Sequence, residues 1–168
     1  LFDDHFHDSS VRVIVFDDEH GSDPIGDWNS GFTAVNVFFM KETIAIVTGG
    51  NSGIGEAICQ AVASRGMNVV VAGRRQSENE RVAGEIEKQH GVSAHPVETD
   101  VSREEDCLQL IRKSTEMNGT VRLLVNNAGV SGFGKISETD SEMFDKVLHT
   151  NLYSAYWCSR EAYRVFEK

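Results

Sequence analysis

Residues Thr43 to Arg65 read TIAIVTGGNSGIGEAICQAVASR, and this stretch decides the fold. It opens on an apolar, β-branched run, Ile44-Ala45-Ile46-Val47, the pattern of a strand buried on both faces. The run breaks at Thr48-Gly49-Gly50-Asn51-Ser52-Gly53-Ile54-Gly55. Apolar residues then resume at helical spacing, at Ile54, Ile58, Ala61 and Val62. A strand, a glycine turn and a helix that opens on the glycines make a phosphate-binding device. The glycines permit the tight turn and a close backbone approach, while the free N–H groups and dipole of the helix start favour negative charge. The spacing is Gly-x-x-x-Gly-x-Gly, at Gly49, Gly53 and Gly55, and differs from the commoner Gly-x-Gly-x-x-Gly. A glycine-rich turn without a ligand gives the same pattern, so the stretches around it must decide.

Downstream, Asn68 to Ala72 reads as a second buried strand ending at Gly73-Arg74-Arg75. A polar helical segment over 78–89 follows, with Val82 and Ile86 facing inward and Gly91 closing it. Ser93 to Val97 is a weaker third strand that leads into Thr99-Asp100-Val101. Ser102 and Glu105 have capping-box spacing, which predicts a helix with Cys107, Leu108, Ile111 and Thr115 on its inner face. Val121 to Val125 is the fourth strand and runs into Asn126-Asn127-Ala128-Gly129. From Ser141 to Lys168 one or two helices are predicted, with Met143, Phe144, Val147 and Leu148 inward. Leu152, Ala155, Tyr156, Ser159 and Tyr163 continue that spacing.

Strands alternating with helices imply an α/β fold, a doubly wound parallel sheet of Rossmann type with right-handed crossovers. Ligands of such sheets bind at the carboxyl ends of the strands. Four breaks in the apolar pattern fall there: the glycine turn, Gly73-Arg74-Arg75, Asp100-Val101 and Asn126 to Gly129. One crevice collects them all.

The 168 residues, 40% of them apolar, are enough for one domain with a real core. No run reaches the roughly 18 apolar residues of a membrane span, so no membrane partner is expected. Cys59, Cys107 and Cys158 are scattered without metal-ligand spacing and read as buried free thiols of a reducing, cytoplasmic compartment. The net charge of −10 argues against a nucleic-acid partner.

Residues 1–39 hold eight acids against Arg12 alone. Val11 to Phe16 has the composition of a short strand, but no helical period follows. Asp3, Asp4, His5, His7 and Asp8 are metal-capable side chains, read as a solvated acidic tail because no second ligand cluster fixes a geometry. No metal is expected. The segment is read as an acidic extension outside the domain, which is expected to begin at Met40 and fill residues 40–168.

In this order and spacing the pieces from Met40 to Lys168 resemble the short-chain dehydrogenase/reductase family, in its single-domain branch. Thr48-Gly-Gly-x-x-Gly-Ile-Gly matches the family's cofactor loop, and Asn126-Asn-Ala-Gly its strand-end motif. Asp100-Val101 matches the pair beside the adenine, and Asn151 the helix asparagine of the catalytic group. The resemblance implies that Gly49, Ser52, Gly53, Ile54 and Gly55 hold a pyrophosphate. Asp100 is then expected to accept a hydrogen bond from the adenine amine, with Val101 packed on the ring. Asn127 is expected near the adenosine ribose, Ala128 and Gly129 are expected to bind the cofactor beside it, and Asn151 is expected to hold a water in a proton relay. Structural alternatives stand beside these: a turn residue at Asp100, a structural tie at Asn126, a helix bend at Asn151.

The cofactor is read from Arg74. An NAD site places a carboxylate at the end of the second strand, to grip the ribose 2′-hydroxyl. Gly73 stands there, and Arg74 follows with a charged fork suited to a 2′-phosphate. NADP is therefore expected over NAD, and Gly73→Asp with Arg74→Ala is expected to reverse the preference.

The family's proton-transfer pair is Tyr-x-x-x-Lys. Here Tyr153, Tyr156 and Tyr163 are followed four residues later by Trp157, Arg160 and Glu167. The family serine, tyrosine and lysine are therefore expected beyond Lys168, in a fifth strand and a helix, which makes the chain a fragment with an open edge on its fourth strand. The resemblance implies hydride transfer between NADP(H) and a carbonyl or secondary alcohol in a homo-oligomeric complete protein. The alternative is a non-catalytic chain that binds a nucleotide or a partner.

Overall fold

The computed structural model describes residues 13–16, 43–132 and 134–167. The Asp3–Asp8 group and Met40 lie outside the described residues. Five strands form one sheet: β1 (Val13–Phe16), β2 (Thr43–Thr48), β3 (Asn68–Gly73), β4 (Ala94–Glu98) and β5 (Thr120–Asn126). Their order is β1-β5-β2-β3-β4. Strands β5, β2, β3 and β4 run parallel, and β1 lies antiparallel to β5 at the edge.

Five α-helices follow: α1 (Gly53–Ala63), α2 (Gln76–His90), α3 (Glu104–Thr115), α4 (Ser141–Leu148) and α5 (Ser154–Phe166). A π-helical turn, His149–Tyr153, joins the last two. Alternation along β2 sends Ala45 and Val47 to one face of the sheet and Ile44 and Ile46 to the other. The first face packs against Cys59 and Ala63 of α1 and Val82 and Ile86 of α2. The second packs against Cys107 and Ile111 of α3 and Cys158 and Ala162 of α5. Helices on both faces of a parallel sheet make the doubly wound, Rossmann-type arrangement. An extra residue at Arg122 shifts the β2–β5 register, pairing Ile44 with Val121 and Ala45 with Leu123, so that Val121 and Leu124 share a face.

The structure corrects three expectations. The outer edge of β5 is not open: Val13 pairs with Asn126 and Phe16 with Leu123, so backbone groups of β1 occupy the edge. No capping box forms at α3: its cap residue is Arg103, without a side-chain cap bond, and the Ser102 hydroxyl, one residue before it, donates to Asp100 Oδ1 at 2.8 Å. The apolar stripes of the later helices are also turned. In α3 the buried residues are Cys107, Leu110, Ile111 and Ser114, while Thr115 is exposed. In α5 the small residues Ala155, Cys158 and Ala162 meet the sheet, letting the helix approach closely, and Tyr156 and Tyr163 face outward. No residue of α4 is buried, and Met143 and Phe144 are exposed.

The helix stop at Gly91 and the buried thiols are as expected. Gly91 closes α2 in the left-handed conformation at φ 67°, its N–H bonded to Glu87 O. All three cysteines are free and buried. Among the described residues, no helix is long and apolar enough to cross a membrane, and no group of three or more His, Cys, Asp or Glu could hold a metal ion.

Candidate functional site

At the carboxyl ends of the four parallel strands lies a cleft of about 1150 Å³. The residues singled out by sequence meet there: Gly49, Ser52, Gly53, Ile54 and Gly55 from the turn, Arg74 from the end of β3, Asp100 and Val101 after β4, and Asn127, Ala128 and Gly129 after β5. Arg75, Val130, Lys146 and Thr150 also line it.

The glycine turn is shaped by contact. Gly49 adopts φ +64°, and a side chain on it would press on Asn127 and Ala128. A Cβ on Gly55 would run into the Gly49 carbonyl oxygen, so α1 can start this close to β2 only with glycine at that position. The first N–H groups of a helix lack intrahelical partners, and here they belong to Gly53, Ile54 and Gly55 on the cleft wall. Beneath the turn the Cys59 thiol donates to Gly50 O at 3.6 Å.

Thr48 joins this turn to the strand-end motif. Its hydroxyl accepts the N–H groups of Asn127 and Ala128, each at 3.0 Å, and donates to Val125 O at 3.4 Å. Asn127 returns the tie, its Nδ2 donating to Thr48 O at 3.0 Å and Gly49 O at 3.2 Å. Asn127 thus lines the cleft while holding two loops in register.

A second tie runs under the β3 end. Asn51 Nδ2 donates to Asn79 Oδ1 at 2.8 Å, and Asn79 Nδ2 donates to Gly73 O at 2.8 Å and Val97 O at 3.1 Å. Asn79 is fully buried. Arg74 and Arg75, both exposed, continue the chain into the cleft with no ion-pair partner among the described residues.

After the neighbouring strand β4, Asp100 folds into an Asx turn. Its Oδ1 accepts the Ser102 N–H at 3.1 Å as well as the Ser102 hydroxyl, while its own N–H donates to Asp106 Oδ2 at 3.2 Å. The turn reading and the ligand reading of Asp100 are therefore compatible, since the turn engages one carboxylate oxygen. Val101 packs into the second core face, and the Cys107 thiol donates to its carbonyl at 3.3 Å.

Asn126 ties a strand to a helix and not to a neighbouring strand: its Nδ2 donates to Ser159 Oγ at 3.1 Å, and its Oδ1 is buried without a partner among the described residues. Asn151 stands behind the cleft lining, in the π-helical turn. Its Oδ1 accepts the Val130 N–H and its Nδ2 donates to Val130 O, both at 2.7 Å. The amide is engaged at both ends, and its first effect is to fix the loop that carries Asn127 to Val130. A π turn widens the helix and is a frequent feature of functional sites.

Three residues of this framework escaped the sequence reading as individuals. Thr48 was legible as a lone polar side chain ending an apolar buried strand. Asn79 lies three and seven residues before Val82 and Ile86, on the inner face of α2, where a polar residue must find partners. Lys146 carries no signal in the sequence beyond helical spacing to Thr150.

Comparison with known proteins matches the model of the short chain dehydrogenase family to residues 43–168. An uncharacterised oxidoreductase of Thermotoga maritima is 40% identical over 125 residues, covering 72% of this chain and 47% of that protein. Farnesol dehydrogenase of Aedes aegypti is 37% identical over 126 residues, covering 74% and 51% respectively. Among solved structures, an alcohol dehydrogenase from the archaeon Thermococcus sibiricus, complexed with 5-hydroxy-NADP, matches with a TM-score of 0.72 at 29% identity, covering 74% of this chain and 53% of that one. The chain spans about half the length of the curated relatives it matches. The matched region runs from the first residue of β2 through α5 and contains every element that lines the cleft, and by that match the chain belongs to the short-chain dehydrogenase/reductase family.

Proposed function

We propose that this chain carries the NADP-binding part of an oxidoreductase that moves a hydride between NADP(H) and a small-molecule carbonyl or secondary alcohol. The observation that carries the reading is the single cleft that unites the glycine turn, Arg74 and Asp100. The residues fit such a cofactor. The side-chain-free surface of Gly49 and Gly55 leaves room for a pyrophosphate, and the N–H groups of the first turn of α1 face an anion. Arg74 and Arg75 offer two guanidinium groups to a 2′-phosphate. Asp100 offers a carboxylate oxygen to the adenine amine, and Val101 an apolar wall. The bound nicotinamide supplies the hydride acceptor or donor. The solved relative complexed with 5-hydroxy-NADP supports the choice of cofactor.

The serine and Tyr-x-x-x-Lys of the family belong, in this reading, to a part of the complete protein outside these 168 residues. The complete protein is proposed to assemble as a homo-oligomer through α5, where Tyr156 and Tyr163 are each 58% exposed. A second reading, nucleotide binding without turnover, is favoured by one observation: no tyrosine of the chain is followed four residues later by lysine. Fluorescence titration of the full chain with NADPH and NADH tests the first reading. Tighter NADPH is expected, and tighter NADH overturns it. A turnover assay of the complete protein with NADPH and a panel of carbonyl compounds separates the two readings.

A further inference from the structure

We infer that the Asn51–Asn79 pair enforces the choice of cofactor by keeping position 73 free of any side chain. The inference rests on the NADP reading above and concerns why an acid cannot stand where an NAD site needs one. Gly73 ends β3, the position from which a carboxylate grips the ribose 2′-hydroxyl. A Cβ placed there would run into the Asn51 amide nitrogen and lie 2.8 Å from Asn51 Cγ and 2.9 Å from Asn79 Oδ1.

Neither neighbour is free to yield. Asn51 is 7% exposed, and its Nδ2 is donated to Asn79 Oδ1 at 2.8 Å. Asn79 is 0% exposed, and its Nδ2 is spent on Gly73 O and Val97 O. If the Asn51 amide swings aside into the cleft that it lines, the fully buried Asn79 Oδ1 loses the hydrogen bond that this donor gives it. Alanine at position 73, as well as aspartate, therefore forces the pair apart. By holding the β3 end against the glycine turn and the β4 end together, it also fixes where Arg74 leaves the sheet. Asn79 is thus a positioning residue that acts through Gly73 and Arg74. The simple exchange of Gly73→Asp with Arg74→Ala does not install an NAD site, because the new carboxylate meets an occupied space.

The test titrates the full chain with NADPH and with NADH, following cofactor fluorescence, for four proteins: the parent, Gly73→Asp, Asn51→Ala and the double variant. Gly73→Asp alone is expected to weaken both cofactors by about tenfold or more. The double variant opens the space and is expected to bind NADH about tenfold tighter than Gly73→Asp does. If Gly73→Asp alone gains NADH affinity as fully as the double variant, the inference is overturned. Should the aspartate variant fail to fold, the same cycle with Gly73→Ala is read by thermal melting. Gly73→Ala is expected to lower the melting temperature by several degrees in the parent and by clearly less in Asn51→Ala, and equal losses overturn the inference. A parent chain that binds neither cofactor defeats the NADP reading, while the melting cycle still decides whether the pair closes position 73.

Discussion

Asn151 grips the backbone of Val130 from both sides, accepting its N–H and donating to its carbonyl at 2.7 Å each. The contact joins a π-helical turn to the loop after β5, the loop whose Asn127 is itself bonded to the glycine turn. Two partly buried hydrogen bonds at about 1 kcal/mol each amount to roughly 2 kcal/mol. Asn151→Ala is expected to lower the melting temperature by roughly 4–8 °C, given about 2–4 °C per kcal/mol in a chain of this size. Hydrogen exchange at the Val130 amide checks the cause, and unchanged protection there refutes it. Asn151→Asp keeps an acceptor for the Val130 N–H and loses the donor, so it should fall between the two.

Arg74 is exposed, lines the cleft and has no ion-pair partner among the described residues. Its guanidinium stabilises nothing in the folded chain that the substitution would cost. Arg74→Ala is therefore expected to leave the melting temperature unchanged and to weaken NADPH roughly tenfold or more, with NADH nearly unaffected. Equal loss for both cofactors, read by titration, assigns Arg74 to some contact other than the 2′-phosphate. Arg75 serves as the control: a larger selective loss in Arg75→Ala moves the phosphate contact to that residue.

The alternation of strands and helices was legible because the inner strands β2 and β3 are buried on both faces and apolar, as Ile44 to Val47 and Val69 to Ala72 are, while the edge strand β4 gave a weaker signal. The cleft residues were legible because they interrupt that pattern at the carboxyl ends. The rotation of the helices was harder. Through the π turn and α5 the spacing fits either Leu152, Tyr156 and Tyr163 or Ala155, Cys158 and Ala162 as the inner face. Size decides it, since small residues let the helix sit close to the sheet while the tyrosines keep solvent contact. The Asn51–Asn79 tie was hidden for another reason. It is a long-range contact between two asparagines, each of which reads locally as a turn or solvent residue. Ser102 shows the opposite failure: a capping spacing was present, but the cap falls one residue later, at Arg103, and Ser102 belongs to the Asx turn of Asp100.

Burial pushes the Cys59 thiol up to about 12, and the nearby charge of Glu56 pushes in the same direction. An unfolded cysteine ionises near pH 8.5, so the native state favours the protonated thiol. Its contribution to stability is fully present below the unfolded value and is lost as pH rises from there through the native value near 12. Two outcomes follow. Iodoacetamide at pH 8.5 should leave Cys59 unmodified in the native chain and label it in urea. Melting temperature should fall as pH is raised above 9, and that part of the fall should vanish in Cys59→Ala. Rapid native labelling of Cys59, located by peptide mass, would contradict the buried, protonated thiol.

β1 lies inside the acidic extension and covers the edge of β5 that the sequence reading left open. Val13 to Phe16 pairs antiparallel with Asn126 to Leu123 and so covers the edge of the apolar strand VRLLV. An uncovered strand edge presents unpaired N–H and C=O groups and is a template for other chains. If residues 1–39 were a detached tail, their removal would leave association unchanged. The pairing predicts otherwise: residues 40–168 are expected to self-associate at concentrations where the full chain does not, as read by size-exclusion chromatography with light scattering. A narrower variant isolates the cause. Val15→Pro removes a donor from β1 without altering the charge of the extension, and should reproduce the association of the deletion, because proline weakens strand pairing. If the deletion associates and Val15→Pro does not, the acidic charge of the extension, and not β1, keeps the chains apart. If neither associates, the edge of β5 needs no cover from β1.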